Sequence, residues 1–176
     1  MKRHLKIIAL LLLTATCLLP ATAHAQPELS CDQLKIIWKS VINRAPEIKG
    51  SPQTSNTPGE KNYTAALQLF NASPATYTET DTLASPNNPK RISTRYTQQL
   101  WQGSSMIKAR DIVWNYLDQF DKCNFINWEP TLEEHRQYSQ FSSSKNELVE
   151  LRIGFNDNLS LQNYYVYFEM IYTRTL

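Results

Sequence analysis

The sequence predicts an α+β fold: two helices packed antiparallel on one face of an antiparallel sheet of about five or six strands, in the order αβββαβββ. Three observations predict it. Two segments carry apolar residues at helical spacing, 31–45 and 105–121. The segments between and after them alternate with a period of two or are apolar throughout. Cys31 and Cys123 fall at the start of the first helix and just past the end of the second. A disulfide between them requires those ends to meet, with Cα atoms about 4.4–6.8 Å apart.

The first 25 residues stand outside this fold. Lys2, Arg3 and Lys6 give a basic start, Ile7 to Leu19 is an uncharged apolar run, and Ala23-His24-Ala25 precedes Gln26. That is the three-part pattern of a secretory signal peptide, and the apolar run is short of the ~20 residues of a membrane span. The expected mature chain is a single domain, 26–176. The whole chain has 18 Lys+Arg against 16 Asp+Glu, and the leader holds three of the basic residues and none of the acidic ones. The remainder is 15 against 16, a balance that gives no reason to expect nucleic acid or an anionic membrane surface as partner. No stable membrane anchor is expected either.

Cys17 leaves with the leader, so Cys31 and Cys123 remain and are read as one disulfide of an exported protein. Closing a loop of ~92 residues stabilises by about 4–5 kcal/mol in the chain-entropy account. His135 is the one histidine left.

The first helix opens with Ser30 as cap, Gln33 three residues on, and Leu29 and Leu34 placed for a hydrophobic staple. Leu34, Ile37, Trp38, Val41 and Ile42 form its apolar stripe, and Ala45-Pro46 ends it. KGSPQTSNTPGEK, 49–61, lacks large apolar residues and reads as a flexible loop. Strands are expected at 63–70, 76–83 and 91–101, the second of them polar and Thr-rich and therefore an edge. The second helix carries Ile112, Val113, Tyr116, Leu117 and Phe120 on one stripe, capped by Ser104 or Ser105. Strands at 136–142, 147–155 and 163–173 follow. The last is apolar or aromatic on both faces and reads as central and covered on both sides. Ile36-Ile37-Trp38 matches Ile112-Val113-Trp114, and Tyr96-Thr97 matches Tyr172-Thr173, both at a shift of 76. The matches are sparse, so an internal duplication is an alternative to chance resemblance.

No motif specifies a reaction. The four glycines, Gly50, Gly59, Gly103 and Gly154, form neither a phosphate loop nor a dinucleotide fingerprint. The densest polar cluster is WEPTLEEHRQY, with Glu129, Glu133, Glu134 and His135. One histidine beside carboxylates falls short of a zinc ligand set, and no nucleophile elbow accompanies it, so the cluster reads as a solvated turn. No catalytic residue, metal site or cofactor is assigned. Asp118, Asp121, Glu129 and Glu133 are the carboxylates a small cell-envelope hydrolase would use.

The remaining signal is aromatic. Tyr165 and Tyr167 fall on the strand face opposite Tyr164, Val166 and Phe168, and only one of those faces can meet the helices. Tyr is favoured at recognition surfaces, so Tyr165 and Tyr167 are the candidate binding residues. The leading expectation is an exported, periplasmic or secreted, non-enzymatic protein that binds another protein or an envelope polymer. An inhibitor or immunity protein for a secreted enzyme is its concrete form. The alternatives are the hydrolase and a structural subunit of a surface assembly that uses 76–83 as an open edge.

Overall fold

The computed structural model describes residues 28–70, 73–85, 89–123, 129–133, 136–144, 146–158 and 163–176; the expected leader, 1–25, lies outside them. Helix α1 spans Cys31–Asn43, and the Ser30 side chain accepts from the Gln33 N–H. Both staple residues, Leu29 and Leu34, are buried. Leu34, Ile37 and Val41 point into the core at helical spacing. The helix stops at Arg44, whose backbone is left-handed (φ 52°, ψ 37°) and whose N–H reaches the carbonyls of Ser40 and Val41. One 3-10 turn, Pro46–Ile48, leads into the sheet.

Strands β1 (Lys49–Gln53), β2 (Glu60–Ala65), β3 (Ala75–Thr82) and β4 (Arg91–Gly103) form an antiparallel meander. Helix α2 (Met106–Cys123) follows, with the Ser105 hydroxyl accepting from the Lys108 N–H. A second meander, β5 (Glu129–Glu133), β6 (Arg136–Ser144), β7 (Glu147–Asn158) and β8 (Asn163–Thr175), completes the chain. Among the described residues eight strands form one sheet, in the order β1-β2-β3-β4-β8-β7-β6-β5. The broad class is α+β, but the expected five or six strands and the order αβββαβββ are wrong: the order is αββββαββββ. Each helix is followed by a four-strand meander, and the two meanders meet at β4 and β8. Counterparts lie 76 apart at the starts of β2 and β6, Glu60 and Arg136, and at the ends of β3 and β7, Thr82 and Asn158.

The errors have physical causes. The supposed flexible loop 49–61 contains all of β1 and the start of β2. β1 is an edge strand, exposed over its last three residues, so it carries no apolar alternation to betray it. Gly50 permits its close pairing, because a Cβ there would lie 2.5 Å from the Thr64 carbonyl oxygen. β5 was missed for the same reason: Glu129–Glu133 is an edge strand paired with β6, where a solvated turn was expected. The strand expected at 63–70 ends at Ala65. Leu69 and Phe70 are buried, but a side chain, not a strand, serves their backbone: Gln98 Oε1 accepts from both N–H groups, at 3.0 and 3.3 Å. Strand 76–83, expected at an edge, is β3 and is paired on both sides, with β2 and β4. It offers no open edge for strand addition.

Both helices lie on one face of the sheet. Thr94 Oγ1 donates to the Val41 carbonyl of α1 at 2.9 Å, and the Phe120 ring of α2 stacks on Phe168 at 5.1 Å between centroids. Thr94 and Phe168 share that inner face with Tyr96, Met170 and Tyr172 by register. Tyr77, Val149, Leu151, Ile153 and Val166 complete the inner layer of the core. The Cys31–Cys123 disulfide joins the first residue of α1 to the last of α2, with Cα atoms 5.3 Å apart. Beside it the Leu29 N–H donates to Gln119 Oε1 at 2.7 Å. Among the described residues no helix is long and apolar enough to cross a membrane, which says nothing of a barrel.

Candidate functional site

β8 is central, as its sequence suggests, but a helix covers only one of its faces. Val166 and Phe168 are buried under the helices. Tyr165, Tyr167, Glu169 and Ile171 point to the other side, where neither described helix lies. Burial there is lateral. Ile171 is flanked in register by Arg95 and Glu150, whose long stems flank and shield it. Tyr167 is flanked by Gln99 on β4 and by Gly154 on β7, which has no side chain to hold the ring upright.

A recess of about 250 Å³ forms on this outer face, lined by Thr97, Gln99, Asn156, Tyr165, Tyr167 and Glu169. Three adjacent strands build it, and register explains the set. Thr97 pairs with Glu169, Gln99 with Tyr167, and Asn156 with Tyr165. A bulge between Gln99 and Trp101 shifts the phase of β4, so that Gln102 comes opposite Tyr165 on the outer face while Trp101 turns inward against the core. Thr97 Oγ1 donates to Glu169 Oε1 at 3.4 Å, and Gln99 Nε2 donates to Gln102 Oε1 at 3.5 Å. Arg152 pairs with Glu150 and, at 3.8 Å, with Glu169. The recess therefore presents hydroxyls, carboxamides, one carboxylate and two phenol rings, and no Lys or Arg lines it.

The structure brings the two sequence-predicted residues, Tyr165 and Tyr167, into one recess. Sequence reasoning missed Thr97, Gln99, Asn156 and Glu169. A signal existed in Thr97 and Gln99, two residues apart, but Thr94 and Gln98 make the inner face of β4 polar as well and blur the alternation. Each of those inner polar groups has a buried partner: Thr94 holds α1, and Gln98 bonds the backbone of Leu69, Phe70 and Ser73.

The other candidates do not converge among the described residues. Asp118 is exposed on α2 and ion-paired with Lys122, and Asp121 is exposed on the same helix. Glu129 and Glu133 lie in β5, and their side chains, like Glu134 and His135, lie outside what is described. Among the described residues no three His, Cys, Asp or Glu side chains gather as a metal site would require.

A second polar cluster lies on the inner face. The buried Glu79 carboxylate accepts from Lys49 Nζ at 2.7 Å and pairs with Arg44 at 3.4 Å; the Tyr77 hydroxyl donates to it at 3.3 Å. Burial alone would raise the Glu79 carboxyl. The Lys49 hydrogen bond and the Arg44 charge outweigh that and hold it below the usual carboxylate range. Arg44 also bonds Asp81 at 3.0 Å. Arg44, Glu79 and Asp81 satisfy one another and tie the end of α1 to β3, which is a structural role.

Comparison with known families, curated proteins and solved structures finds no match to this chain.

Proposed function

We propose that this is an exported binding protein that acts on another macromolecule through the outer face of its sheet, around Tyr165 and Tyr167. The observation that carries the reading is the asymmetry of the sheet. One face is sealed by two helices, and the other presents a recess with both tyrosines in its wall. Phenol rings anchored in a concave, polar-rimmed site are what recognition surfaces favour.

Export rests on the leader pattern in residues 1–25 and agrees with a disulfide that closes most of the domain. Binding by face rather than by edge is favoured by the edges themselves. β1 contains Pro52 and β5 contains Pro130, and a proline lacks the N–H that strand addition needs.

The test uses three forms of the oxidised protein as bait against envelope and extracellular extract: the native sequence, Tyr165→Ala and Trp114→Ala. Trp114 is 54% exposed on α2 and is remote in kind from the recess. The reading expects the native and Trp114→Ala baits to retain the same partner and Tyr165→Ala to lose it. Retention by Tyr165→Ala with loss by Trp114→Ala would assign binding to the helical side instead.

A further inference from the structure

We infer that the outer-face recess takes a neutral, hydroxyl-rich sugar unit, so that the partner surface is a glycan. The inference rests on the binding-face reading above and gives it a ligand class. It follows from the chemistry of the lining.

First, charge. An anionic ligand needs a cation, and none lines the recess; of the outer-face guanidiniums near it, Arg152 bonds Glu150 and Glu169, and Arg95 stands opposite Ile171, outside the lining. Second, hydrogen bonding. Tyr165 supplies a hydroxyl that both donates and accepts, the Thr97 hydroxyl still accepts while it donates to Glu169, and Gln99 and Asn156 supply carboxamides with both donors and an acceptor. Glu169 adds a carboxylate, an acceptor for hydroxyl donors, and the hydroxyl of Thr97 already occupies that role at 3.4 Å. A ligand that is itself a ring of alternating donors and acceptors fits such a wall better than an apolar or a charged one. Third, size. The recess, about 250 Å³, lies below the ~300–1,000 Å³ of drug-sized pockets, which suits one ring of a polymer with the chain running on across the face. The neighbouring outer-face positions on β2 and β3 continue the same chemistry: Asn62, Thr64, Thr76, Thr78 and Thr80. Thr78 already donates to Asn62 at 2.8 Å. An extended peptide would find neither an open edge nor an apolar side-chain pocket there.

The test is an amide NMR titration of the oxidised protein with hexa-N-acetylchitohexaose and, separately, maltohexaose. Both are neutral; only the first bears acetamides. The inference expects saturable shifts at Thr97, Gln99, Asn156 and Tyr165 with at least one of them, at dissociation constants of about 0.1–10 mM. Binding should be unchanged by raising salt, because no ion pair forms. Tyr165→Ala and Gln99→Ala should each weaken it at least about tenfold; the second variant guards against misfolding of the first, and both must keep the native spectrum elsewhere. Absence of shifts with both sugars up to ~10 mM would overturn the glycan assignment, as would shifts abolished by salt. If the sugars fail while the Tyr165→Ala bait still loses its partner, the glycan assignment falls and the binding face stands. If that bait keeps its partner, the face reading falls as well.

Discussion

The Gln98 carboxamide stands in for a strand beside Phe70: its Nε2 donates to the Phe70 carbonyl at 2.8 Å, and its Oε1 accepts from the Phe70 N–H at 3.3 Å. The same side chain also bonds the Leu69 N–H, the Ser73 carbonyl and the Tyr96 hydroxyl, and it is fully buried. Replacing it strands several buried backbone groups at once, each worth about 1–3 kcal/mol when left unsatisfied. We expect Gln98→Leu to destabilise by at least about 3 kcal/mol, measured as a lowered urea midpoint. A loss under about 1 kcal/mol would mean that water or a shifted segment replaces the carboxamide.

The Glu79 cluster predicts acid sensitivity. Its folded-state value is lowered, so its contribution is present above the unfolded carboxylate value of 4.5 and fades as pH falls through the lower folded value. Stability of the native protein should therefore drop below pH ~4.5 more steeply than that of Glu79→Gln. At neutral pH that variant leaves Lys49 and Arg44 short of an acceptor. Both cations are about a quarter exposed, so the cost should be about 2–3 kcal/mol, below that of a fully buried pair. Denaturant titrations of the two proteins at a series of pH values check both statements.

The disulfide predicts a redox-dependent melting point. Cys31→Ser with Cys123→Ser opens a loop of 92 residues and should cost about 4 kcal/mol. In a domain of this size that lowers Tm by roughly 10 °C. Calorimetry of the double variant beside the native protein gives the number, and equal melting points would show that the bridge contributes nothing.

Thr94 predicts a smaller effect. Thr94→Val keeps shape and removes the hydrogen bond to the Val41 carbonyl at the end of α1. The expected cost is about 1 kcal/mol, with faster amide exchange confined to the last turn of α1. Uniform loss of protection across the sheet would contradict that local role.

What could be read from the sequence follows from where each signal originates. α1 was legible because Ser30, Gln33, Leu29 and Leu34 are local and because one face repeats every 3.6 residues. β7 and β8 were legible because Val149, Leu151 and Ile153 alternate and because β8 carries apolar or aromatic residues on both faces from Tyr164 to Tyr172, Glu169 apart. β1 and β5 were not, since an edge strand needs neither an apolar face nor freedom from proline. Residues 66–70 misled because Leu67, Leu69 and Phe70 are apolar, while the group that satisfies their backbone lies 28 residues away from Phe70. The candidate site divides the same way. Period two was enough to place Tyr165 and Tyr167 on one face. Their neighbours Thr97, Gln99, Asn156 and Glu169 depend on the pairing of β4, β8 and β7, which no local pattern encodes.

The most direct test of the binding face is site-specific photo-crosslinking in the producing cells. One photoreactive side chain replaces Gln102, which is exposed and opposite Tyr165 on the outer face; another, in a separate strain, replaces Trp114 on α2. The account predicts a covalent adduct of defined composition from position 102 and none from position 114. An adduct from position 114 alone would contradict it.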